Sequence, residues 1–435
     1  MCNGTIMDKL ISFSIPLMLS GILQLMFNAV DIVVVGRFSG SQALAAVGST
    51  TALINVFTNL FIGISLGANV LAARYYATGK IKEMSETVHT AIALALVSGV
   101  AMAVIGVVFA RGALEIMGTP DDVIAKSTLY MRIYFCGMPF FMMYNYGAAI
   151  LRAVGDTKRP LIFLIVSGVI NAVLNLFLVI GFHLDVAGVG IATVISQLVS
   201  CILVLRCLHH TESSYQLHLA KLRIRSVYLK QIFEVGVPAG IQSTVINISN
   251  AMLQSSVNSF GSIAMAGYTA SNNIFGFLYV SVNSFTQACM SFTSQNYGVK
   301  KLKRMDRVLI DCMILSVVVT LILGSSVYIF GPELLHIYSN QADVIKYGME
   351  IFSYTTVTYF LCGLMDLFPG ALRGMGYSTV PMILSIIGTV GVRIIWIYGL
   401  FPSHRSLTFL FLSYPVSWIA TIIMQVICFW FVRKK

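Results

Sequence analysis

Charge is scarce in this chain. Lys, Arg, Asp and Glu make up 10% of its 435 residues, against roughly a quarter in soluble domains, which excludes a charged, water-facing shell of ordinary size. Acidic residues are the scarcer sign, 17 against 28 basic ones, and the seven histidines fall mostly between the apolar runs. The eight cysteines show neither CxxC spacing nor a His-rich companion pattern, so no zinc or redox motif is indicated and reduced, buried thiols are expected. No HExxH, GxSxG or DxxD-type constellation lies in an apolar run, and no enzyme is expected. The first apolar run is too long for a cleavable signal peptide and lacks a small-residue cleavage motif, so it is expected to stay in the membrane.

Apolar sequence is abundant: 57% of residues are hydrophobic and mean hydropathy is +0.85. Runs long enough to span a bilayer, about 20 residues each, fall near 10–35, 47–73, 91–110, 127–150, 160–181 and 187–208. A second series follows near 229–260, 264–296, 308–330, 347–372, 379–401 and 407–431. The pattern predicts an all-α integral membrane protein of twelve transmembrane helices.

Basic residues are retained in cytoplasmic loops. With Met1 in the cytoplasm, five of the 28 basic residues fall outside (Arg37, Arg111, Lys126, Lys346 and Arg405), two fall within spans (Arg132 and Arg393), and the other twenty-one fall inside. Both termini are therefore expected in the cytoplasm. The net charge of +11 reports this topology and contact with anionic lipid, and no nucleic-acid partner is expected. Short loops and the lack of a targeting segment suit a bacterial cytoplasmic membrane.

The chain repeats itself. Leu151-Arg-Ala-Val-Gly-Asp-Thr-Lys-Arg-Pro160 answers Leu372-Arg-Gly-Met-Gly-Tyr-Ser-Thr-Val-Pro381 at an offset of 221 residues. The same offset pairs Gly40, Ser41, Ala43 and Ala45 with Gly261, Ser262, Ala264 and Ala266, and Tyr76, Lys80, Lys82 and Met84 with Tyr297, Lys301, Lys303 and Met305. Near the start the register slips by one, so Pro16 answers Pro238. Six spans per repeat is an even number, so the repeats are parallel. The sequence divides into an N-terminal six-helix lobe at 1–208, a cytoplasmic linker at 209–228 and a C-terminal six-helix lobe at 229–435.

Ionisable residues at membrane depth cost roughly 2.5–3.5 kcal/mol on insertion scales and mark candidate sites. Gln24, Asn28 and Asp31 share one helical face by their spacing, and Pro16, earlier in the same helix, should act as a hinge. Asn171, Asn175 and Thr193 fall in the outer half of the same lobe as Asp31. One carboxylate, two amide carbonyls and a hydroxyl suit a monovalent cation, sodium for instance, or a proton. By position Asp31 corresponds to Met252, Asn171 to Val392 and Asn175 to Trp396, so the second lobe has no equivalent oxygen cage. It carries Asp366 and Arg393 instead, at depths too different for a direct salt bridge. Arg393 could snorkel outward or repel cations, and Asp366 could bond the inner gate. The amides of the seventh and eighth spans, among them Asn250, Gln254, Asn283 and Gln287, read as the lining of an aqueous cavity, with Gln24, Asn28, Tyr144 and Asn145 added from the first lobe. Twenty-one methionines would give walls that repack around solutes of different shape.

At these residues the chain resembles the multidrug and toxic compound extrusion (MATE) family. The resemblance rests on Pro16 followed by Asp31 within Val30-Asp-Ile-Val-Val-Val-Gly36, on the two repeat motifs at Leu151 and Leu372, on Asn171 with Asn175, and on Gly190-Ile-Ala-Thr-Val194. It implies a V-shaped pair of six-helix lobes and a cation-coupled antiporter exporting organic, cationic amphipathic solutes. It also implies a first-lobe cation site at Asp31, Asn171, Asn175 and Thr193. The family commonly has an aspartate where Asn175 stands, and some members carry an acidic residue on the seventh span that is missing here. Both departures bear on sodium. The expectation is a monomeric exporter of small organic solutes, driven by H+ or Na+ and using no other cofactor. A lipid or polysaccharide-precursor flippase of related fold is the alternative.

Overall fold

The computed structural model describes residues 1–434, apart from the side chains of Ser41 and Ala52; Lys435, the end of the basic C-terminal cluster, lies outside the described residues. All regular structure among the described residues is helical, the solution that satisfies every backbone group inside a segment where lipid offers no hydrogen bonds. In chain order the first half runs α1 (Met7–Phe38), α2 (Ser41–Ala77), α3 (Ile81–Ile116), α4 (Asp121–Cys136), α5 (Met138–Ala153), α6 (Lys158–Leu176) and α7 (Asp185–His209). The second half runs α8 (Ser226–Asn258), α9 (Ser262–Gly298), α10 (Leu302–Ile329), α11 (Gly331–His336), α12 (Ala342–Gly374), α13 (Thr379–Ser385), α14 (Val392–Ile395), α15 (Leu407–Phe411) and α16 (Ser413–Lys434). α6 continues into a π-helical turn, Phe177–Gly181, and π-helical segments Ile386–Gly391 and Trp396–Leu400 flank α14.

Among the described residues nine helices are long and apolar enough to cross a membrane: α1, α2, α3, α6 with its π turn, α7, α10, α12, the composite Thr379–Ser403, and Leu407–Lys434. The other three spans read from the sequence fall short for two physical reasons. The run at 127–150 is divided between α4 and α5, each 16 residues, at Gly137, where Pro139 removes a backbone donor from the first turn of α5. α8 and α9, 33 and 37 residues long, carry the amide-rich faces noted above and so lose apolarity rather than length.

The helices gather into two compact units, residues 19–237 and residues 1–18 with 238–435. These do not coincide with the sequence boundaries at 208 and 229, and the side chains show why. The segment read as a linker lies on the first unit: His218 N donates to His89 Nε2 at 3.0 Å, Arg223 and Arg225 both pair with Glu86, and Tyr75 Oη donates to Gln231 Oε1 at 3.0 Å. The start of α8 packs there too. A Cβ on Gly67 would lie 2.1 Å from the Ile232 carbonyl oxygen, so α2 and α8 approach backbone to backbone. In the other unit Phe13 packs edge-on against Phe292 with ring centroids 5.5 Å apart, and Arg304 donates to the Met1 carbonyl at 3.2 Å. The unit boundaries fall within α1 and α8, at Met18/Leu19 and Val237/Pro238, within two residues of the prolines that answer one another in the repeat.

Within unit 19–237, α3 packs on α4 and α5, and α6 packs on α7. The approach of α1 to α6 depends on Gly168: a Cβ there would fall 1.8 Å from Phe27 Cε2. Phe27 is one turn before Asp31, and Gly168 one turn before Asn171 and two before Asn175, so this contact sets the helix spacing at the polar cluster. Gly168→Ala should therefore destabilise the protein by about 1–3 kcal/mol through overpacking, while Gly168→Ala with Phe27→Leu should recover most of the loss. Thermal unfolding in detergent measures both, and equal loss in the single and double variants would contradict the contact.

Candidate functional site

α1 and α6 bring three of the predicted residues together. Asn175 Nδ2 donates to Asp31 Oδ1 and, at 3.2 Å, to Asn171 Oδ1 one turn earlier on α6. Asn171 and Asn175 are buried, Asn175 completely, and Asp31 is partly buried. One amide NH2 thus bridges two oxygens, an arrangement open to a donor with two protons on one nitrogen. Asn175 Oδ1 remains buried without a hydrogen bond. Among the described residues no basic side chain lies within salt-bridge distance of Asp31. An ionised carboxylate so placed has one neutral donor against the cost of its burial.

Thr193 is not joined to this cluster by a hydrogen bond. Its hydroxyl donates back to the Val189 carbonyl of its own helix at 2.9 Å. The residues around Asp31 that sequence reasoning missed are Tyr130 and Tyr134 of α4, both within electrostatic reach of its carboxylate. Their spacing of four was visible in the sequence, but nothing in it aimed them at α1. The π turn that follows Asn175 is the kind of local expansion that often accompanies functional sites in helices.

The predicted cavity residues differ in exposure and in hydrogen bonding. Gln24 and Asn28 are exposed on the α1 face that carries Asp31. Tyr144 is buried and donates to the Pro160 carbonyl at 3.1 Å, and Asn145 Nδ2 donates to the Phe141 carbonyl at 2.8 Å. Gln254 donates to Asn258 Oδ1 at 2.9 Å. Asn283 and Gln287 are partly buried on α9.

In unit 1–18 with 238–435, Arg393 is 3% exposed and so does not snorkel outward. Nor does it pair with Asp366. Its Nε donates to Ser417 Oγ at 3.3 Å, its Nη1 to Asn250 Oδ1 at 2.8 Å and Ser249 Oγ at 3.4 Å, and its guanidinium lies 4.7 Å from the centre of the Tyr414 ring. Asp366 is within electrostatic reach of Arg373 and Tyr279. Arg373, part of the second repeat motif, is buried and donates to Gln242 Oε1 at 2.5 Å. Its counterpart in the first motif is Arg152.

A duplicated helical bundle of multi-pass membrane type, with a partly buried carboxylate in one unit and a buried guanidinium in the other, defines the class of protein. The MatE family model matches residues 16–177 and again 238–398, one match to each repeat, and the chain belongs to that family. Similar curated proteins include the probable multidrug resistance protein YoeA of Bacillus subtilis, 28% identical over 433 residues, covering 97% of this chain and 93% of that protein. The multidrug export protein MepA of Staphylococcus saprophyticus is 21% identical over 401 residues, covering 92% and 89%. Among solved structures, one described as MATE in complex with MaD3S superposes with a TM-score of 0.91 at 19% identity, covering 99% of this chain and 98% of that one. An outward-facing multidrug resistance MATE family transporter of the MOP superfamily gives 0.90 at 20% identity, covering 99% and 96%. These likenesses establish the fold.

Asn175→Leu leaves Asp31 Oδ1 and Asn171 Oδ1 without their shared donor and should cost about 1–3 kcal/mol. Asp31→Asn with Asn175→Leu should cost less than the sum of the single changes, because the stranded charge is gone. A thermal double-mutant cycle in detergent reads the difference; strict additivity would mean that the two side chains are not coupled.

Proposed function

We propose that this protein exports a range of amphipathic organic cations across the bacterial cytoplasmic membrane, exchanging them for a cation, in the first place a proton, taken up at Asp31. The observation that carries the reading is the Asp31 carboxylate, lacking a basic partner in its own unit and held by the Asn175 amide alone. The relatives named as multidrug proteins support the solute class, and the positive-inside pattern supports termini in the cytoplasm. The chemistry is exchange at one acidic group. An ionised Asp31 attracts either the incoming proton or the cationic part of a solute, and neutralising it by one releases the other.

Alternating access requires each ligand to prefer a different conformation of the chain. The prolines inside α1 and α8, Pro16 and Pro238, are natural points of bending, since each removes a helix hydrogen bond. A proton is favoured over sodium by the orientation of the amide. Asn175 turns its NH2, not its oxygen, toward the two acceptors, so its nitrogen stands where a metal ion would have to sit. Sodium coordination would require the amide to turn over and the buried Oδ1 to face Asp31, with one carboxylate as the anionic ligand.

Asp31→Asn should leave the protein inserted and folded while reducing uphill dye efflux from everted vesicles to the level of empty membranes. Full efflux by that variant would remove the proposal. Wild-type efflux should follow an imposed proton gradient and be insensitive to a sodium gradient. Asn175→Asp, which restores the second carboxylate, should introduce sodium dependence; sodium-driven efflux by the wild type would reverse the assignment of the ion.

A further inference from the structure

The second unit carries a charge of opposite sign on helices related by the repeat to those of the cation site. α8 repeats α1, and the composite span that contains α14 repeats α6. At the offset that sets Asp31 against Met252, Asn28 is answered by Ser249, the neighbour of Asn250, and Val392, the counterpart of Asn171, immediately precedes Arg393. Where α1 and α6 join a carboxylate to two asparagines, α14 joins a guanidinium to an asparagine and a serine of α8 and a serine of α16. The π-helical segments on both sides of α14 displace Arg393 from regular helical register.

Three features make this an unfinished site. First, the guanidinium is buried, yet among the described residues no carboxylate lies within salt-bridge distance of it. Neutral oxygens of Ser249, Asn250 and Ser417 and the face of Tyr414 orient it, but they do not cancel its charge. Second, its Nη2 makes no hydrogen bond with any described residue, so this end of the fork has a donor to offer. Third, a guanidinium can only donate, which obliges Asn250 to turn its oxygen toward it. The Asn250 Nδ2 is thereby left as a second free donor on a partly buried side chain. Two unused donors on side chains bonded to one another, one of them positively charged, match a carboxylate or another oxyanion. A purely structural clamp would use the Nε and Nη1 contacts and gain nothing from an open Nη2.

We propose that Arg393, with Asn250, binds an anionic oxygen group of the transported solute, above all a carboxylate, so that the second unit selects solutes bearing an acid. The inference rests on the transport reading for the statement that the ligand is a solute; the binding itself does not depend on coupling at Asp31. It widens the expected solutes from simple cations to zwitterions and aromatic acids.

The test uses the purified full-length protein in detergent and chloride-free buffer, with two dyes that differ in one group: rhodamine 110, which has a free carboxylate, and rhodamine 123, its methyl ester. Fluorescence anisotropy should show the acid binding about tenfold or more tighter than the ester, the scale of a charge-assisted hydrogen bond. Arg393→Gln should weaken the acid to the level of the ester and leave the ester unchanged, while Arg393→Lys should keep part of the preference. Absence of an acid preference in the wild type, or its persistence in Arg393→Gln, would overturn the proposal. A measurement on the wild type alone guards against a misfolded variant: benzoate should displace rhodamine 110 at concentrations where benzamide does not, and equal displacement would also overturn it. Loss of the acid preference on adding chloride would assign the site to an inorganic anion and remove the solute reading. Absence of gradient-driven efflux by the wild type, with its acid preference intact, would remove the antiport reading and leave this site standing.

Discussion

A carboxylate held at membrane depth with no basic partner in its unit is the constraint on which the first unit depends. Its burial is tolerable because the Asn175 NH2 is itself fixed by Asn171, one turn away on the same helix. That arrangement in turn needs α1 and α6 at a spacing that a side chain on Gly168 would not allow. The chain of dependence therefore runs from a missing Cβ to a helix contact, to a bridging amide, to the carboxylate that the amide holds. A satisfied salt bridge at the same place would be more comfortable and could not be exchanged.

Duplication supplied two copies of a scaffold and divergence gave them opposite polarity. In the first copy one neutral amide donates to an acid; in the second several neutral acceptors hold a base. Both charges share the feature that their partners orient them without neutralising them. Other charges in the chain are paired directly, as Arg433 is with Asp306 and Arg223 with Glu86. Asp31 and Arg393 lie instead at interior positions on repeat-related helices, where neutral groups are their hydrogen-bond partners.

Much of this was legible before any coordinates. Apolar run length and basic-residue bias are one-dimensional signals, and they located the helical segments, the repeat and the membrane class; helical spacing placed Asn171 beside Asn175 and singled out Asp31. Other features were not legible because they depend on which helix faces which. Thr193 has the right residue type and depth, yet its hydroxyl is bonded to its own helix. Tyr130 and Tyr134 carry no sequence signal that aims them at α1, and the polar tract before α8, read as a cytoplasmic linker, is bonded to the first unit through His89 and Glu86.

The sequence by itself determined that the chain is helical, membrane-embedded and duplicated, because burial in lipid forces backbone hydrogen bonds to close locally and each span to be apolar along its own length. Tertiary structure alone decided that Asn175 presents nitrogen rather than oxygen to Asp31, that Gly168 permits this meeting, and that Arg393 is buried among neutral oxygens instead of reaching for water. Those are relations between side chains far apart in the chain, fixed by helix packing and by which neighbour can donate and which can accept, and no local pattern of residues encodes them.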